Sequence, residues 1–126
     1  MTVSLAYQNY SDVDRIAQYN EKLASFTEAD RPYTRLVFST EYHAARAWLS
    51  DEFRALGLEC HNDAGANLIG RRQADAHVIA PQTVIIGSHI DTVPAGGRYD
   101  GIAGVITAME VVHYLNSQQI TLPFTL

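Results

Sequence analysis

The sequence contains a single cysteine, Cys60, so no intrachain disulfide framework can hold it and a reducing, cytoplasmic setting is expected. No apolar stretch approaches the ~20 residues of a membrane-spanning helix. The opening "MTVSLAYQNYSD" has neither the basic n-region nor the apolar h-region of a secretory leader. Basic residues are outnumbered, nine against fourteen acidic, for a formal charge of −5. That balance excludes a phosphate-backbone partner and an anionic membrane surface as expected ligands. Repeats, low-complexity segments and linkers are also lacking. What remains is a chain of 126 residues with 47% apolar types, an ordinary length for one domain with a core of its own.

The apolar spacing predicts helices first. Ser11 can cap a helix whose stripe is Val13, Ile16, Asn20, Leu23 and Ala24. Pro32 breaks that pattern. A second helix is expected from about Ser39, with Tyr42, Ala45, Leu49, Phe53 and Leu56 on one side and Gly57 at its end. Two short strands follow, "LECH" (58–61) and "NLIGR" (67–71), separated by the turn-like "NDAGA". "TVIIGSH" (83–89) is a continuous apolar run, as in a strand buried on both faces of an α/β sheet. Ile102, Val105, Ile106, Met109 and Val112 mark a third helix to about Asn116, and "LPFTL" (122–126) reads as a strand beginning. A strand–helix–strand crossover builds a parallel sheet. The expected fold is therefore α/β, a three-layer sandwich with a mixed, partly parallel sheet.

The chemistry concentrates in "GSHIDTVPAGGRYDG" (87–101), which leaves the apolar run and enters the third helix. In open α/β sheets, ligands sit beyond the carboxyl ends of strands, where this loop falls. His89 and Asp91 are two residues apart, so an extended backbone turns both side chains one way. A neutral imidazole ligates zinc-like cations, and a nearby carboxylate can fix its tautomer. Asp100 offers an anionic oxygen from the loop's far end, and Gly96 and Gly97 permit a tight turn between. Plainer readings stand beside these. Asp100 can be the N-cap of the third helix, Asp91 can close an Asx-turn, and the glycines can mark a long loop.

Rival motifs fit less well. A dinucleotide fingerprint needs a glycine where Tyr99 stands, a P-loop needs a Lys-Ser/Thr pair that "GIAGV" lacks, and Ser88 has no G-x-S-x-G elbow. Cys60 is expected to face the core as a small hydrophobe. His43, His77 and His113 are expected to be solvated. His61 can approach the loop, though its spacing does not demand it.

"GSHIDTVPAGGRYDGIAGV" resembles the metal-binding segment of the dinuclear amidohydrolases that include N-carbamoyl-L-amino-acid hydrolase, β-ureidopropionase and allantoate amidohydrolase. These are relatives of the zinc aminoacylases and carboxypeptidases. "YTRLVFSTEYHAARAWL" and "GLECHNDAGANLIGR" resemble the segments that precede that motif, so the likeness runs from about residue 32 to residue 126. The resemblance implies His89 as ligand to one metal and Asp100 as the carboxylate bridging two. It implies Asp91 as the catalytic-site acid that orients the His89 ring, and a supporting role for Asp63 and Asn67. The implied activity is hydrolysis of a C–N bond in N-carbamoyl or ureido compounds. It would need two divalent cations (zinc, manganese or cobalt) about 3.5–4 Å apart.

By the same resemblance residues 1–126 are the N-terminal portion of one metallohydrolase catalytic domain. A general-base glutamate and further ligands are expected beyond Leu126, along with an inserted domain through which such enzymes form homodimers. A catalytic zinc takes about three protein ligands plus water, so two matched ligands are the first part of a site. The piece alone is expected to be inactive and poorly soluble or oligomeric. The competing expectation is a non-catalytic truncated α/β module or the product of a decayed gene.

Overall fold

A computed structural model describes residues 11–126. The reading of residues 1–10 as lacking a leader therefore lies outside the described residues. The elements in chain order are α1 (Val13–Ser25), α2 (Thr40–Ala55), β1 (Glu59–Asn62), β2 (Leu68–Arg71) and α3 (Ile102–Ser117).

Each helix begins where its local chemistry allows. The first is capped one residue later than expected: the Asp12 carboxylate, not Ser11, accepts the Arg15 amide at 3.0 Å. The Ser39 hydroxyl accepts the Tyr42 amide and starts α2 as predicted. That helix ends at Gly57, whose φ of +80° few other residues adopt. The hairpin pairs Glu59 with Arg71 and Asn62 with Leu68, antiparallel. Its turn is closed by Asp63, whose carboxylate accepts from the Asn67 amide and side chain at 2.8 Å each.

The core joins Leu23 of α1 and Ala45 and Leu49 of α2 to Ile102, Val105, Ile106, Met109 and Val112 of α3. All five predicted positions of α3 are buried. Against this core lie Trp48 and Tyr19, edge to face with ring centroids 5.7 Å apart. A polar seam ties the helices together. Arg15 donates to both carboxylate oxygens of the buried Glu110, from Nε at 2.6 Å and Nη2 at 2.8 Å. Tyr19 Oη lies 2.9 Å from His113 Nε2 and donates to Glu52 at 3.2 Å. His113 is thus half-buried and partnered rather than solvated. Cys60 is also only half-buried, and burial pushes its thiol pKa up.

The expected α/β sandwich is not what forms. The architecture is three helices and a two-stranded antiparallel sheet. Residues 85–89 find no backbone partner among the described residues, and the run touches the chain's end only at a single parallel bridge, Thr83 to Thr125. A strand buried on both faces needs neighbours on both edges and cover above and below. None of these is complete here, and Ile85 is 89% exposed. The stretch 122–126 contributes that bridge and a reciprocal pair of hydrogen bonds between Leu126 and Arg72, at 2.7 and 3.0 Å. No helix among the described residues is long and apolar enough to cross a membrane.

Candidate metal centre

The loop that carries His89, Asp91 and Asp100 is stitched to the segment before α2. The Thr92 amide donates to the Arg35 carbonyl, and the Arg35 amide to the Thr92 hydroxyl, each at 2.8 Å. Thr92 in turn donates to the Tyr33 carbonyl at 2.9 Å. The Ala95 amide reaches the Thr34 hydroxyl, and the Gly96 amide the Tyr33 carbonyl. Thr34, Arg35 and Thr92 are buried. The loop is held by a backbone lattice on one side and leaves its titratable side chains in solvent on the other.

Gly97 and Gly101 take φ of +94° and +68° on the way into α3. Gly101, not Asp100, is the residue at the N-cap of α3, and no side chain caps it. Asp100 contributes its carbonyl to the Ile102 amide, at 2.7 Å, and its carboxylate is left pointing elsewhere. That carboxylate faces the His89 ring. His89 Nε2 is 3.9 Å from Asp100 Oδ2, and both side chains are at least half exposed.

The other ring nitrogen fixes the tautomer. His89 Nδ1 lies 3.0 Å from the Asp91 carbonyl oxygen, which can only accept. In a neutral imidazole Nδ1 therefore carries the proton, and the lone pair is on Nε2, toward Asp100. The Asp91 carboxylate stands behind the same nitrogen at 3.6 Å, beyond hydrogen-bond length. Two donors on a tetrahedral zinc lie about 3.4 Å apart, given bonds of about 2.0–2.2 Å. The observed 3.9 Å gap would need to close by about half an ångström around such an ion. The donor chemistry, one imidazole lone pair and one carboxylate, suits a divalent cation. Among the described residues no cluster of three or more histidine, cysteine or acidic side chains completes the set.

An open groove of about 800 Å³ runs beside His89, with Asp100 outside its lining and Leu49, Phe53 and Met109 within it. His61, Asp63 and Asn67 line it together with His89 and Asp91, so the hairpin turn and the loop share one cavity. The Asn67 side chain and amide hold the Asp63 carboxyl below its usual range. His43 and His77 are exposed and do not line the groove. Arg35, which ties the loop to the end of α1, was not legible as a site residue. Its partners in the loop are 55 and 57 positions away along the chain, and no periodic signal reports such contacts.

No protein-family model matches the chain. It is 39% identical over 104 residues to allantoate amidohydrolase of Bacillus subtilis, covering 81% of this chain and 24% of that protein. It is 35% identical to N-carbamoyl-L-amino-acid amidohydrolase of Paenarthrobacter aurescens, over 83% of this chain and 25% of that one. To ureidoglycolate hydrolase of rice it is 34% identical, over 84% of this chain and 22% of the relative. Among solved structures, a hydantoinase/carbamoylase family amidase from Burkholderia ambifaria superposes with a TM-score of 0.83 at 30% identity. That match covers 91% of this chain and 28% of the amidase. The structure of AtUAH in complex with glyoxylate gives a TM-score of 0.82 at 26% identity, covering 91% of this chain and 27% of that one. The chain spans about a quarter of the length of the curated relatives it matches. Across most of its length this chain is a homologue of part of the carbamoylase and allantoate amidohydrolase family, which includes the ureidoglycolate hydrolases.

Proposed function

We propose that residues 11–126 form part of the catalytic domain of a metal-dependent amidohydrolase, cleaving a C–N bond in an N-carbamoyl or ureido compound. The observation that carries this reading is the His89–Asp100 pair, an imidazole lone pair and a carboxylate facing each other across 3.9 Å. Homology to enzymes of that activity along most of the chain supports it.

His89 would hold a divalent cation through Nε2, and Asp100 would hold it, or a pair of cations, through its carboxylate. Asp91 keeps the imidazole proton on Nδ1 by accepting from it, which leaves Nε2 free to ligate. Bound cations of this kind polarise a carbonyl and lower the pKa of a bound water. The groove that His89, Asp91, Asp63 and Asn67 line gives a small polar substrate room next to His89. The relatives' names favour a substrate among N-carbamoyl amino acids, allantoate and ureidoglycolate.

A chimera tests the proposal. The 104 matched residues would replace the corresponding quarter of the Bacillus subtilis allantoate amidohydrolase, and ammonia release from allantoate would be followed with added manganese or zinc. The expected result is metal-dependent turnover that His89→Ala and Asp100→Asn each abolish. A chimera that folds with the parent's circular dichroism and assembly state, and is either inactive or unaffected by both substitutions, would contradict the reading.

A further inference from the structure

Arg35 is buried, at 2% exposure, although nothing in its sequence neighbourhood announces a core position. Its guanidinium joins two parts of the molecule. Nη1 donates to the Leu23 and Phe26 carbonyls at 2.7 and 2.8 Å, at the C-terminal end of α1 where a cation is favoured. Nε donates to the Ile90 carbonyl at 2.6 Å, in the peptide that leads into Asp91. Nη2 is buried without a hydrogen-bond partner. Burial pulls the guanidinium pKa down, and the Asp91 carboxylate opposes that shift. A buried charge with one arm unpaired is costly, so helix capping alone is a poor account of it.

Asp91 is also the residue whose carbonyl accepts from His89 Nδ1. The Ile90 carbonyl held by Arg35 belongs to the peptide that carries the Asp91 amide. Fixing it fixes the chain on the near side of Asp91; the Asp91 carbonyl belongs to the next peptide, whose Thr92 amide is held by the Arg35 carbonyl, so Arg35 grips both peptides that flank Asp91. We propose that Arg35 is a positioning residue for the His89–Asp100 pair: its guanidinium anchors the 90–91 peptide to the end of α1, so that Asp91 stays behind the His89 ring and Nε2 stays aimed at Asp100. The effect on metal rests on the proposed function above. The effect on the ring does not.

Two observables on the purified chain therefore separate the two claims. The first is the His89 tautomer, read without metal by long-range ¹⁵N–¹H correlation on histidine-labelled protein. The second is the affinity for manganese alone. In the wild type the Nδ1–H tautomer is expected to dominate. Arg35→Met, which keeps the length but removes the donors, is expected to give a mixture of tautomers. It should also weaken manganese binding about 10- to 100-fold, as loss of a partner behind a ligand histidine commonly does. Arg35→Lys keeps the charge but cannot reach three carbonyls, and should fall short of wild type on both. Should Arg35→Met fail to fold, the lysine variant decides. Leu56→Ala, in the core and away from the groove, is the control for lost stability alone and should leave the tautomer unchanged. A folded Arg35 variant with the wild-type tautomer would overturn the inference, as would an equal shift in Leu56→Ala. If the wild type takes up no manganese while Arg35→Met still shifts the tautomer, the positioning role stands and the metal reading fails.

Discussion

Gly101 sits behind the candidate ligand, and replacing it with alanine is the sharpest small perturbation of the loop. A Cβ there would press on the His89 carbonyl oxygen and lie 2.6 Å from ring atoms Cε1 and Nδ1. The backbone conformation, φ +68° and ψ −49°, is itself unfavourable for an L-residue. That conformational part costs about 1–2 kcal/mol. The overlap is with a backbone carbonyl and the near end of a ring, which cannot swing away freely, so overpacking adds about 1–3 kcal/mol. Gly101→Ala should therefore lower stability by about 2–5 kcal/mol. Gly97 supplies the control. Its φ is +94°, but a Cβ there meets nothing within 4 Å, so Gly97→Ala should show the conformational part alone, about 1–2 kcal/mol. Because relief of the clash must move His89, Gly101→Ala should also disturb the His89 ring resonances while Gly97→Ala leaves them in place. Urea unfolding and histidine-selective NMR measure both. Equal losses in the two variants, with His89 undisturbed in each, would refute the reasoning.

Further outcomes follow from the seam between α1 and α3. Arg15→Met leaves the Glu110 carboxylate, 7% exposed, without its guanidinium partner. Breaking a fully buried pair costs about 3–5 kcal/mol, and water around the partly exposed Arg15 reduces this to about 2–3. Arg15→Met with Glu110→Leu should regain part of the loss, and a single variant as stable as wild type would contradict the account. Acid should destabilise the chain in two stages. Burial, followed by the Arg15 charge, lowers the His113 pKa below 6.5, so its contribution is complete above that pH and is lost as pH falls through the folded value. Burial pushes Glu110 up, but hydrogen bonds from Arg15 and the Asp12 amide outweigh it. The net value lies below 4.5, so this contribution is lost in a second, more acidic window. Denaturation from pH 7 to 2 should show both stages, His113→Gln should remove the first, and a profile that stays flat below pH 6.5 would argue against the assignment. Ile85→Lys places a charge in the exposed, unpaired run and should reduce self-association in sedimentation while changing stability by less than about 0.5 kcal/mol. Undiminished association would show that the run is not the sticky edge.

Much of the local structure was legible, because its causes are local. Ser39, the stripe from Tyr42 to Leu56 and Gly57 specify α2 within nineteen residues, and "NDAGA" between two short apolar segments specifies the hairpin. The first helix was misplaced by one residue, since serine and aspartate stand side by side and both cap well. The sheet was misread for a deeper reason. An apolar run such as 83–89 reports what a segment can bury, not whether neighbours exist to bury it, and here the backbone partners do not assemble. His113 looked solvated because its partner Tyr19 lies 94 positions away. Of the site, the spacing of His89 and Asp91 and the placement of Asp100 were legible. The acceptor role of the Asp91 carbonyl and the anchoring by Arg35 were not, because both depend on how the backbone turns.

His89 and Asp100, if they ligate a divalent cation, should be the first groups that bound manganese relaxes, and paramagnetic line broadening detects even weak binding. Titrating substoichiometric Mn²⁺ into ¹⁵N-labelled chain should broaden the resonances of His89, Asp100 and Gly101 first. His89→Ala and Asp100→Asn should each abolish that selectivity. Broadening centred elsewhere, on the carboxylates of α1 or on the Asp63 turn, or a pattern that survives both substitutions, would contradict a ligand role for the pair.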